Sequence, residues 1–136
     1  MQKIIIDTNI IVSSLISKSY PFKLISEIVL NSKAELCLSS EVLDEYLEVL
    51  LRKKFLKFTN FTDNTTLILN YIQKYSSLYY PNKKVDLLKD KSDNKFLELA
   101  YVSSADFLIT GNFNDFNLKE FHTTKIVSAK EFYSMF

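Results

Sequence analysis

Ile4-Ile5-Ile6-Asp7-Thr8-Asn9 is the stretch around which the rest of the chain is organised. Three consecutive β-branched residues read as a short strand buried on both faces, as in the middle of a parallel sheet. An acid follows with no intervening turn. Asp7 therefore stands at the carboxyl end of the strand, where open α/β sheets place their ligands. Asp and Thr are also good helix N-caps, so the motif becomes a site only if other residues of the chain join it.

Working outward, Thr8 to Ser17 reads as a helix packed on the sheet through Ile10, Ile11, Leu15 and Ile16. Pro21 suits a first helical turn, and Phe22, Leu24, Ile25, Ile28 and Val29 carry a second amphipathic helix to about Asn31. Glu35 to Leu38 is a short apolar strand. Ser39-Ser40 caps a helix running to about Lys54, with Val42, Leu43, Tyr46, Leu47, Val49 and Leu50 on its apolar face. Glu45 and Asp44 fall on opposite boundaries of that face, and periodicity does not choose between them. Arg52-Lys53-Lys54 suits the negative end of the helix dipole and could equally meet a phosphate backbone. Thr62 is the expected cap of a helix to about Ser76, with Leu67, Ile68, Tyr71, Ile72 and Tyr75 inward. Pro81-Asn82 reads as a turn, with Val85 in a short edge strand.

Ser92 is the expected cap of the next helix, in which Asp93, Phe96, Leu97 and Ala100 fall at i, i+3, i+4 and i+7. Asp93 thus heads the apolar face. A carboxylate there meets a cation or lines a wet cleft, because an unpaired buried charge is costly. Phe107-Leu108-Ile109 is another buried strand, closed by Thr110-Gly111-Asn112, and the loop to Phe116 carries Asp115. Lys125-Ile126-Val127 is the last strand, and Ser128-Ala129-Lys130-Glu131 is a capping box opening the final helix.

Composition narrows the chemistry. The 136 residues are 47% hydrophobic and 24% charged, which fits one globular domain over 1–136. A net charge of +1 leaves any attraction to nucleic acid to local clusters. One cysteine (Cys37) and one histidine (His122) exclude a zinc site built on those ligands, and a lone Gly111 excludes Gly-rich phosphate loops. With no apolar leader and no run of membrane-spanning length, a cytoplasmic protein without a membrane partner is expected.

Alternating strands and helices predict a three-layer α/β/α fold with a central parallel sheet of four to five short strands. Each helix then begins at the edge where the preceding strand ends, so Asp7, Asp93, Asp115 and the first turns of the helix at 40–54 share one edge. Several carboxylates in one cleft need a positive charge among them. A hard divalent cation, Mg²⁺ or Mn²⁺, meets that need, and such a site hydrolyses phosphoesters.

These pieces together resemble the PIN-domain ribonucleases, in particular the small VapC-like toxins of toxin–antitoxin modules. The motifs are Ile6-Asp7-Thr8-Asn9, Ser40-Glu41-Val42-Leu43-Asp44-Glu45-Tyr46, Asp93-Asn94-Lys95-Phe96-Leu97-Glu98-Leu99-Ala100 and Ala105-Asp106-Phe107-Leu108-Ile109-Thr110-Gly111. The resemblance implies a PIN-like fold and a metal-dependent endoribonuclease, the toxin of a type II module. It makes Asp7, Glu45 and Asp93 the metal-holding acids, choosing Glu45 over Asp44. Thr8, Asn9, Thr110 and Asn112 become polar support or substrate contacts. Many relatives carry an acid where this chain has Asn112, and the resemblance then offers Asp115 as the fourth catalytic acid. Asp90 reads as a loop or capping residue. RNA would be the substrate, met by Arg52, Lys53, Lys54, Lys83 and Lys84; an antitoxin protein would be the partner, and homodimers are common among relatives. The alternative is a catalytically weakened PIN-fold module that binds RNA or protein. A haloacid-dehalogenase-like site would want an acid where Asn9 stands, and a receiver domain would want adjacent acids at the first strand end.

Overall fold

The structure is a computed structural model that describes residues 1–113 and 116–136. The isoleucine stretch is strand β1 (Lys3–Ile6), with Ile4, Ile5 and Ile6 fully buried. It pairs in parallel with β2 (Glu35–Leu38) on one side and β4 (Phe107–Ile109) on the other. Beyond them lie β3 (Ser77–Leu78), parallel to β2, and β6 (Thr124–Val127), parallel to β4. The short β5 (Glu120–Phe121) runs antiparallel to β6 at the far edge. Among the described residues the order is β3-β2-β1-β4-β6-β5. The chain fills one half of the sheet from β1 outward, then returns to the other side of β1. That reversal between β1 and β4 opens a crevice at the carboxyl ends of the two strands.

The layered, mainly parallel sheet flanked by helices is the one expected, with two additions at its edges. β5 and β6 meet through His122-Thr123, and His122 takes the positive φ of 53° that a two-residue hairpin needs. No Gly or Asn marks that turn, which hides it from a sequence reading. The edge strand expected at Val85 is instead Ser77–Leu78. Val85 spends its amide on the Glu98 carboxylate, at 3.0 Å, and so joins no ladder.

The helices are α1 (Thr8–Ile16), α2 (Tyr20–Lys23), α3 (Ser40–Leu50), α4 (Phe61–Tyr75), α5 (Asn94–Ser103) and α6 (Ala129–Tyr133). Where one helix was expected from Pro21 to Asn31, α2 gives way to π-type turns over Leu24–Val29. The wider turn still buries Leu24, Ile25, Ile28 and Val29. Ser39 caps α3 by accepting the Val42 amide, but the helix stops at Leu50 because Arg52 is extended (φ −67°, ψ 136°). α4 starts after Asn60, in the left-handed region, and not at a Thr62 cap. It turns Phe61, Thr65, Ile68, Leu69 and Ile72 inward and leaves Leu67 and Tyr75 exposed, against expectation. The capping box at Ser128 and Glu131 is present in both directions. No helix among the described residues is long and apolar enough to cross a membrane.

Candidate active site

Asp7 follows the last residue of β1, and its amide donates to the Ile109 carbonyl of β4 at 2.9 Å. The ladder thus extends one residue past the strand and aims the side chain into the β1–β4 crevice. Although Asp7 stands at the N-cap position of α1, its carboxylate makes no capping hydrogen bond. It accepts the Thr110 hydroxyl at 2.8 Å, and Thr110 in turn accepts the Asn112 amide at 3.0 Å. Asp7 is 4% exposed, and burial pushes its carboxyl up from 3.8 to about 6. The Thr110 hydroxyl pulls the other way, the nearby Glu45 charge adds to the rise, and the Thr8 and Asn9 amides oppose it. Asp7 thus faces the first-turn amides of Thr8 and Asn9 as well as the Thr110 hydroxyl, and burial still outweighs all three.

Glu45 and Asp44 separate cleanly: Asp44 is exposed, while Glu45 is half-buried. One Glu45 oxygen accepts the Thr8 hydroxyl from α1, and the other faces the Lys95 ammonium of α5 at 2.9 Å. Tyr46, fully buried beside them, donates its hydroxyl to the Ile6 carbonyl, one residue before Asp7. Burial first, then the Asp7 and Glu45 charges, push the Tyr46 phenol well up, so it remains a neutral donor. Five elements (β1, α1, α3, β4 and α5) thus contribute to the surroundings of two carboxylates.

Asp93 is half-buried at the foot of α5. Its helix is not capped by Ser92. Asp90 closes a single 3₁₀ turn by accepting the Ser92 amide at 3.0 Å and hydroxyl at 2.8 Å, the capping role expected of it. Asn94, 5% exposed, accepts the Leu87 and Leu88 amides and clips the irregular segment before it onto α5. Asn9 is exposed and Asn112 half-buried, while Thr8 and Thr110 are buried. Asp115 lies outside the described residues. Among the described residues, no three His, Cys, Asp or Glu side chains stand close enough together to enclose a metal ion.

The basic run Arg52-Lys53-Lys54 lies past the end of α3, and Arg52 feels the Glu48 carboxylate first and the Glu45 charge more weakly. Arg52 pairs with Glu48, at 2.7 Å. A recess of about 610 Å³ is lined by Lys84, Lys91 and Lys95 together with the carboxylates of Glu41, Asp44, Asp86 and Glu98; Asp7, Glu45 and Asp93 are not among its lining residues. Lys83 sits over the Tyr101 ring. Sequence reasoning missed Tyr46, Asn94 and Lys95 as site residues. A signal existed for Lys95: a lysine in the first turn of a helix opposes the dipole and needs an acid to answer it.

A family model described as PIN domain matches residues 3–114, a span that holds Asp7, Glu45, Asp93, Thr110 and Asn112 and stops one residue short of Asp115. An uncharacterised protein of Methanocaldococcus jannaschii is 29% identical over 119 residues, covering 87% of this chain and 76% of that protein. Among solved structures, VapBC2 from Rickettsia felis, bound to a DNA fragment from their promoter, matches with a TM-score of 0.59. That match is 15% identical and covers 93% of this chain and 98% of the other, so it speaks for the fold.

Proposed function

The chain belongs to the PIN domain family, and from that membership we propose that it is a Mg²⁺- or Mn²⁺-dependent endoribonuclease, the toxin of a type II toxin–antitoxin pair. The observation that carries the reading is Asp7, a buried carboxyl at the sheet's reversal point, held by the Thr110 hydroxyl and pushed up to about 6. An acid kept in that state is relieved by a cation. The donors beside it are carboxylate oxygens, the hard ligands that Mg²⁺ and Mn²⁺ take. Asp7 and Glu45 therefore fit the ion in ligand type, and a further acid has to move in to complete the set, since no three such side chains stand together among the described residues.

Asp7, Glu45 and Asp93 would hold it, with Asp115 as a fourth acid in place of the amide at Asn112. When bound, the ion supplies positive charge against the phosphodiester and acidifies the attacking water. Thr110 fixes the rotamer of Asp7, and its own hydroxyl is fixed by the Asn112 amide. Thr8 does the same for Glu45. Glu45 and Asp93 position the attacking water. Asn9, exposed at the rim, is a substrate contact. Arg52-Lys53-Lys54 past the end of α3 and Lys84 in the recess are the basic groups offered to the RNA backbone. The VapBC2 match supports an antitoxin as the partner. We further place the protein as a single domain of the cytoplasm, with self-association as a homodimer.

Incubating a mixed RNA pool with purified protein and Mn²⁺ or Mg²⁺ tests this. Cutting that disappears with EDTA and in Asp7→Asn is the expected result. Cutting that survives in Asp7→Asn overturns the role given to Asp7, and a protein that neither cuts nor takes up either ion overturns the nuclease reading and favours the non-catalytic module.

A further inference from the structure

Lys95 is the cation of the cleft. Of the ion pairs among the described residues, Arg52–Glu48 and Lys91–Asp86 are exposed, whereas the Lys95 and Glu45 side chains are 24% and 18% exposed. The pair joins α5 to α3 across fifty residues of sequence. It also places an ammonium in the first turn of α5, where the helix dipole disfavours it. A position electrostatically wrong for its own helix is held by the acid opposite. Glu45 has one oxygen engaged by Thr8 and the other by Lys95.

We propose that Lys95 is a resident counter-cation of the acidic cleft, occupying Glu45 until a divalent ion displaces it. This rests on the metal-binding reading above and adds a competitor to it. With no ion bound, the ammonium offsets the carboxylate in a half-buried place where an unpaired charge is costly. Glu45 would hold a divalent ion only by releasing Lys95, because the ammonium and the ion would repel across one carboxylate. The lysine stem is long and flexible. It has somewhere to go, because Lys95 already lines the recess that also holds the carboxylates of Glu41, Asp44, Asp86 and Glu98. Displacement thus moves the ammonium from Glu45 toward those four carboxylates. Lys95 weakens loading of the free protein.

The test is a Mn²⁺ titration of the full chain, with free Mn²⁺ read by electron paramagnetic resonance and folding checked by circular dichroism. Lys95→Gln is expected to bind Mn²⁺ roughly fivefold to tenfold more tightly than the unaltered protein, the size expected for losing one partly buried ion pair. Lys95→Arg keeps the charge and should stay within about twofold, as should Lys91→Gln, whose partner is Asp86. Lys95→Met, a second neutral variant, should match Lys95→Gln. Equal or weaker binding in both neutral variants, while the unaltered protein binds Mn²⁺, overturns the role of Lys95 and leaves the nuclease reading standing. No Mn²⁺ uptake by any of the proteins overturns both.

Discussion

Asp7 concentrates the chemistry of the molecule in one carboxyl group. Its folded-state value of about 6 lies above the ordinary 3.8, so the folded chain holds that proton more tightly than the unfolded chain. By linkage, the stability Asp7 contributes is fully present below about pH 4 and is lost as pH climbs through about 6, for a total of about 2–3 kcal/mol. Asp7→Asn removes the buried charge while keeping an oxygen for Thr110. In urea unfolding with EDTA, it should raise stability by about 1–3 kcal/mol near neutral pH and change little near pH 4. Equal stability of the two proteins near neutral pH would show that the burial of Asp7 costs nothing. The same substitution abolishes the proposed cleavage, so function and metal-free stability oppose each other at this residue.

At the scale of elements, the site depends on what holds α5 against its surroundings. Asn94 accepts two amides of the segment before it, at 3.2 Å from Leu87 and 3.0 Å from Leu88. Leu88 is buried, so its amide has no access to bulk water. Asn94→Ala leaves a buried donor unmatched and should cost about 1–3 kcal/mol. Hydrogen exchange should quicken at Leu87 and Leu88 first, because the segment there has no ladder of its own. Unchanged protection at Leu88 would mean that the clip does not hold the segment. None of this is visible in periodicity, which reads Asn94 only as a polar residue at a helix start. Glu45 is similar: its spacing leaves it level with Asp44, and only the contacts with Thr8 and Lys95 distinguish it.

For the molecule as a whole, cation binding and folding should be linked. An ion that binds only the folded chain at ten times its dissociation constant adds about 1.4 kcal/mol. For a chain of this size that is about 3–5 °C in melting temperature. The ion needs Asp7 deprotonated, so the shift should be larger near pH 7.5 than near pH 5, where the group at about 6 is mostly protonated. Melting curves with and without Mn²⁺ at the two pH values measure this. Equal shifts at both would mean that Asp7 is not a ligand.

The sequence by itself determined the layers, because three isoleucines in a row can only be satisfied between two apolar faces and the helical stripes supply those faces. It also set the capping box at Ser128 and the placement of Asp7 at a strand end, since both depend on neighbours within a few residues. The edges were out of reach: β5 turns on a histidine at positive φ, and Val85 is claimed by a carboxylate thirteen residues away. So was the inner structure of the site. That β4 lies beside β1, bringing Thr110 to Asp7, and that α5 lies beside α3, bringing Lys95 to Glu45, are decisions of the packed chain. Local pattern fixes which face of an element is apolar, while only packing fixes which elements become neighbours.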